Sequence, residues 1–223
     1  MGSLIAEGLA RVEERIAQAA RRAGRRPEEI TLIGVSKVKP AAALREAYEA
    51  GLRHFGENYV QEFAGKRPEL GPMPGAVFHM IGHLQGNKAQ AAAELFDVVQ
   101  TVDSARLARR LNEAGRRLGV LLEVKLSPEE TKTGVDPREL PALVEAVRGM
   151  ERLELRGLMV MPPWPEQAED SRPYFRRLRG LAAGLKLPEL SMGMSGDFEV
   201  AIEEGATLVR VGTAIFGSRR APV

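Results

Sequence analysis

The chain has 223 residues, 44% of them hydrophobic and 28% charged, with a formal net charge of +2. That is enough for one large core and short for two enzyme domains, and the balance of charge argues against a disordered tail or a nucleic-acid coat. Cysteine is absent, which removes disulfides, thiolate metal sites and cysteine nucleophiles, and no membrane-length apolar run or secretory leader stands out, so a cytoplasmic location is expected.

Leu4, Ile5, Leu9, Val12, Ile16 and Ala20 recur at helical spacing after Ser3, a plausible N-cap, and Gly24 closes the predicted helix over 3–23. From Ile30 onward short β-rich runs alternate with helical patterns eight times. Strand one, Ile30–Ser36, delivers Lys37, and its helix begins after Pro40. Strand two is His54–Asn58, with Arg67–Gly75 as a later Pro/Gly-rich loop. Strand three, Val77–Ile81, runs into Gly82-His83 and a helix over 87–95. Strand four is Val98–Val102, and Ser104 then caps an Arg-rich helix reaching about Leu118. Val120–Val124 forms the fifth strand, a polar loop extends through Gly134, and Asp136-Pro137 starts the next helix. Leu155–Met161 is the sixth strand, halted by Pro162-Pro163, with its helix over Ser171–Leu185. A brief seventh strand, Leu190–Met192, is joined by a helix over 197–204 to the last, Thr207–Val211, after which Gly212-Thr213 opens a final short helix. Eight βα units predict an α/β fold, a (β/α)₈ TIM barrel forming a single domain over 1–223, with the N-terminal helix of residues 1–24 packed on it. The GxGxxG turn of an open doubly wound sheet is missing.

Barrel chemistry sits where strands end. Those ends deliver Lys37, Asn58, His79 with His83, Asp103, Ser191 with Ser195, and Arg210 with Gly212 and Thr213. Lys37 closes an apolar strand, where desolvation disfavours the ammonium form and leaves an amine able to attack a carbonyl; the alternative is a lysine snorkelling to water. Lys39 precedes Pro40 and is expected in a solvated loop. Gly212-Thr213 has the make-up of a phosphate cradle, small residues at a helix start whose N–H groups lack partners, and Ser195 can add a hydroxyl. Singly, these are ordinary capping residues. Arg210 interrupts an apolar strand and needs a partner: an ion pair with Glu199, Glu203 or Glu204, or an anionic or nitrogen-bearing ligand. His79 and His83 lie around Gly82 on no helix face, so polar lining of the barrel mouth is expected rather than metal. Trp164 and Tyr174 either cover a pocket or belong to the core, and the paired arginines read as solvated helix faces.

Seven blocks carry a resemblance: Gly34-Val-Ser-Lys37, Phe55–Glu62, His79–Lys88, Gln100–Ser104, Gly157–Pro162, Leu190–Ser195 and Val209–Gly217. In this order they resemble the pyridoxal phosphate homeostasis protein family over nearly the whole chain. The resemblance implies one barrel, similar to the N-terminal domain of alanine racemase, with pyridoxal 5′-phosphate (PLP) held as a Schiff base on Lys37. It implies phosphate contacts from Ser195, Gly212 and Thr213, Arg210 facing the pyridine nitrogen, and Asn58 and His83 nearby. The implied role is intracellular buffering and delivery of PLP, with apo PLP-dependent enzymes as candidate recipients, without a strong reaction of its own. Separately, a monomer is expected because no long exposed apolar helix is left unassigned. One departure stands out: Lys125 occupies the position of a family asparagine after strand five. Two other readings are a small PLP-dependent amino-acid racemase, with Tyr59, His83 or Lys125 as acid/base, and a Schiff-base aldolase acting without PLP.

Overall fold

In the computed structural model, residues 3–127 and 133–217 are described. Helix α1 (Leu4–Arg22) starts where Ser3 Oγ accepts the Ala6 N–H at 3.1 Å. Eight βα units follow: β1 (Thr31–Val35) with α2 (Ala41–Glu49), β2 (His54–Glu57) with α3 (Val60–Leu70), β3 (Val77–Met80) with α4 (Ala89–Leu95), and β4 (Val98–Val102) with α5 (Ala105–Glu113). The second half has β5 (Leu118–Glu123) with α6 (Leu140–Arg148), β6 (Leu153–Met159) with α7 (Arg172–Leu185), β7 (Glu189–Ser191) with α8 (Phe198–Glu203), and β8 (Leu208–Val211) with α9 (Thr213–Phe216).

The strands form a closed parallel barrel in sequence order, with β8 returning to β1 in the register Thr31↔Leu208 through Gly34↔Val211. Alternation along each strand sorts its side chains into two cores. Phe55, Phe78, Val99, Leu122, Leu158 and Val209 face outward into the layer beneath the helices, whereas Ile33, Val98, Leu121, Met159 and Leu208 fill the barrel itself. The N-terminal helix lies on the side of the barrel, where Arg15 makes two 2.9 Å bonds to Glu199 of α8 and stacks over Phe198.

Three local expectations differ from the structure. Helix α5 ends at Glu113 rather than near Leu118, because Gly115 at φ +85° breaks the helix and β5 begins at Leu118. Arg67–Gly75 is not all loop: α3 carries Pro68 in its last turn and runs to Leu70, with Gly71 at φ +59° as the stop. Asp136-Pro137 opens a single leading turn, in which Asp136 Oδ1 accepts the Arg138 N–H at 2.8 Å and the Asp136 carbonyl accepts the Leu140 N–H at 3.1 Å, and the regular helix α6 begins only at Leu140. Of the polar loop expected after β5, residues 128–132 lie outside the described residues.

Candidate functional site

At the C-terminal ends of the strands lies a cleft of about 210 Å³. Lys37, Asn58, Ser195, Arg210, Gly212 and Thr213 supply its polar lining, Val35, Ile81, Met161 and Met194 its apolar walls, and Trp164, 84% exposed, its rim. Tyr174 packs against the core instead.

Lys37 is half-buried in the turn that leaves β1. The next residue, Val38, sits at φ +56°, a left-handed conformation that a β-branched side chain rarely adopts. Its N–H donates to Glu62 Oε1 at 2.6 Å, and on the other side of Lys37 the Ser36 carbonyl accepts from Lys66 Nζ at 3.1 Å. Lys66 also meets Glu57 at 2.8 Å and Glu62 at 2.6 Å, while Ser36 Oγ donates to Glu57 at 2.8 Å. The peptide groups flanking Lys37 are thus tied into one buried ionic cluster, which holds the strained turn. Burial pushes the Glu57 carboxyl upward, opposed by Lys66 and Ser36. Lys39 Nζ donates to the Phe216 and Gly217 carbonyls at 2.7 and 3.2 Å, fastening the end of α9.

Asn58 is placed by a close approach: a Cβ on Gly82 would stand 2.3 Å from the Asn58 carbonyl oxygen, so only glycine lets the two loops meet. Asp197 shapes the loop bearing Ser195, accepting the Met194 N–H at 2.6 Å and the Ser171 hydroxyl at 2.7 Å. Gly212 and Thr213 open α9, whose first N–H groups have no preceding-turn carbonyl.

Arg210 is 3% exposed. It donates to Ser191 Oγ at 2.6 Å, to the Val160 carbonyl at 2.9 Å and to Met161 Sδ at 3.2 Å. The ion pairs weighed for it do not form. Glu199 is taken by Arg15, Glu203 by Arg22 and Arg172, and Glu204 by Arg172, Arg176 and Arg179. Burial pushes the Arg210 guanidinium downward, while Asp197 and Glu123 pull it back, and it remains cationic at neutral pH. Glu123, buried at the end of β5, accepts from Thr133 Oγ at 2.9 Å, and its second oxygen has no hydrogen-bond partner among the described residues. Burial raises its carboxyl, as does the Asp103 charge, against the pull of Thr133, Arg210 and His83.

His83 is not among the residues lining the cleft. Its exposed ring stands in an adjoining groove shared with Asn58 and Tyr59, with Nδ1 4.0 Å from Asp103. His79, expected beside it at the mouth, is buried inside the barrel between His54 and Gln100, because β3 turns its odd positions inward. Among the described residues no cluster of three or more His, Asp or Glu could hold a metal. Lys125 leaves β5 through a backbone bond to the Val135 carbonyl at 2.9 Å and does not line the cleft.

Burial lowers His79 from the ordinary 6.5 to about 3, reinforced by the His54 and Arg156 charges. The unfolded chain binds a proton on this ring below pH about 6.5 that the folded protein refuses, so stability falls as pH drops from there toward 3. At roughly 1.4 kcal/mol per pH unit the ring contributes several kcal/mol of acid sensitivity. Denaturant unfolding between pH 7 and 4.5 is expected to show this slope, and His79→Gln to flatten it; equal slopes in both proteins would contradict the assignment.

Sequence reasoning passed over Glu57, Glu62, Lys66, Gln100, Glu123 and Asp197. For Lys66 a signal existed: it shares the face of Val60, Phe63 and Leu70 on α3.

A parallel eight-stranded barrel with this mouth defines the class. The chain belongs to the alanine racemase N-terminal domain family, whose profile matches residues 8–220. Within that class its relatives are pyridoxal phosphate homeostasis proteins: that of Pseudomonas aeruginosa is 50% identical over 97% of this chain and 96% of its own. That of Escherichia coli K12 is 46% identical over 96% of this chain and 97% of its own. The solved structure of PipY from Synechococcus elongatus with PLP bound superposes with a TM-score of 0.84 at 43% identity, covering 96% of this chain and all of that one.

Proposed function

We propose that the chain binds PLP in the barrel mouth as a Schiff base on Lys37 and serves PLP homeostasis, as a cytoplasmic monomer that stores the cofactor and releases it to apo-enzymes. One observation carries this reading: a lysine amine, a serine hydroxyl, the opening turn of α9 and a buried guanidinium surround a single cleft. The names of the relatives and the PLP-bound PipY structure support it. Among the described residues no helix is long and apolar enough to cross a membrane.

The donor set fits the group. When bound, the cofactor supplies an electrophilic aldehyde and an electron-withdrawing pyridine ring. Lys37 provides the amine, and the cluster beneath its turn limits where that amine can reach. Ser195 and the N–H groups of Gly212 and Thr213 suit a phosphate dianion. Val35, Ile81, Met161 and Met194 give the cleft apolar walls that would exclude water from a bound aromatic ring. Arg210, permanently charged, disfavours a proton on the ring nitrogen, which weakens the electron sink that carbanion chemistry requires. Of the acid/base candidates for a racemase, Tyr59, His83 and Lys125, none lines the cleft. A carrier is therefore favoured over a catalyst.

Removing the Ser195 hydroxyl is expected to weaken PLP binding by roughly 1.5–3 kcal/mol, the worth of a hydrogen bond to a charged acceptor. Ser195→Ala would then bind roughly 10- to 150-fold less tightly; an unchanged affinity would remove Ser195 from the site. Carrier and racemase separate by incubating the loaded protein with an amino-acid panel in deuterated water. A carrier leaves the α-hydrogens in place, while exchange at turnover rates would establish the enzyme.

A further inference from the structure

Five polar side chains cross the interior of the barrel in one unbroken line. Arg210 Nη1 reaches Ser191 Oγ at 2.6 Å, and Ser191 Oγ reaches Gln100 Oε1 at 2.6 Å. Gln100 Nε2 lies 3.0 Å from His79 Nδ1, and His79 Nε2 lies 3.0 Å from His54 Nδ1. Arg210 stands at the cleft, whereas His54 opens β2 and is half-buried in a groove at the opposite end, beside Glu13 and Arg53.

The chemistry of the members sets the direction of every link. A guanidinium is only a donor, so Ser191 must accept from it and has its single proton left for Gln100 Oε1. That places the amide NH₂ toward His79, whose Nδ1 must accept. His79 then carries its proton on Nε2 and donates to His54 Nδ1, leaving the His54 proton on Nε2. All four bonds run from Arg210 toward His54.

We propose that this one-way relay positions Arg210 and couples its setting to the protonation of His54 at the far end of the barrel. A proton added to His54 Nδ1 opposes the His79 Nε2 proton. Relief requires His79 to move its proton to Nδ1 and the Gln100 amide to turn over. Ser191 would then receive donors from both sides, and Arg210, having no acceptor, cannot reverse. The Ser191 proton is then left without an acceptor, so the mismatch collects at Ser191, the residue that anchors Arg210 beside the cleft.

The groups facing the relay favour its neutral form. Burial and the Arg156 charge lower His54, with Asp97 opposing, and burial, His54 and Arg156 lower His79. Glu13 shares the His54 groove, and Asp197 and Glu123 face Arg210. The relay goes beyond the cofactor reading and stands without it, since its four bonds are all between side chains of the protein.

The test is nitrogen-15 NMR of the apo protein through a pH titration. At neutral pH His79 is expected as the neutral Nε2–H tautomer; as His54 gains its proton the His79 proton is expected to move to Nδ1, and the Arg210 side-chain resonances to shift in step. In His54→Gln, the new amide oxygen still accepts from His79 Nε2. That variant should keep the His79 tautomer and lose the Arg210 step. A His79 proton on Nδ1 while His54 is neutral, an Arg210 signal indifferent to His54, or a step that persists in His54→Gln would each overturn the proposal. None of these readings depends on PLP, so a failure to bind the cofactor leaves them intact.

Discussion

Lys37→Ala is expected to abolish the visible absorption that PLP develops on the wild-type protein, and with it the covalent part of the affinity. What remains is reversible binding through the Ser195 and Gly212-Thr213 side of the cleft, because none of those groups is disturbed. Lys37→Arg should fail as completely: it restores the charge and much of the length, but a guanidinium stays protonated and forms no imine. Lys39→Ala serves as the control. Its amine is committed to the carbonyls that end α9, so the band should persist. Titration of the three variants with PLP, followed by absorption, distinguishes them. A band that survives in Lys37→Ala would mean that another amine holds the cofactor.

The second large effect lies beneath that lysine. Lys66→Met removes the cation that pairs with the fully buried Glu57 among the described residues, and it releases the Ser36 carbonyl as well. Stranding one partner of a buried ion pair costs about 3–5 kcal/mol, which for a chain of this size lowers the melting temperature by roughly 10 °C. The deficit should depend on pH in a defined sense. With Lys66 gone, the folded-state value of Glu57 stays above its unfolded value, so the variant is least impaired below pH about 4.5 and loses further stability as pH rises. Melting curves at pH 4.5 and 7.5 read this directly. A variant equally impaired at both pH values would show that the lost contact is packing rather than charge. Because the same cluster holds Val38 and Ser36, Lys66→Met should also weaken PLP binding, although Lys66 does not line the cleft.

Local rules made most of the barrel legible. Ser3 and Ser104 each accept an N–H of the helix they precede, and Pro40 does stand immediately before α2. The failures came where one residue outweighed a longer pattern. Gly115 ended α5 inside an Arg-rich run that reads as continuous helix, and Asp136 bonded to its own neighbour two residues on. Lys37, Asn58, Ser195, Arg210, Gly212 and Thr213 were legible as cleft residues because each lies at or just past the end of a strand, whereas His79 and His83, read by the same rule, do not line the cleft. The interior was not legible. Gln100 and Ser191 are 91 residues apart and meet only because barrel closure sets β4 and β7 across from each other. Alternation alone points His79 inward without naming what it touches. The ion pairs weighed for Arg210 failed for a similar reason: α8 turns its acids toward α1 and α7, away from the barrel.

Covalent storage of PLP by this chain depends on one nitrogen atom, the Lys37 amine. Borohydride reduction of the PLP-loaded wild-type protein, followed by proteolysis and peptide mass mapping, locates the linkage without relying on any variant. A single pyridoxyl adduct is expected on the peptide that contains Lys37. An adduct on Lys39, Lys66 or Lys125, or no adduct from a protein that nonetheless binds PLP, would contradict it.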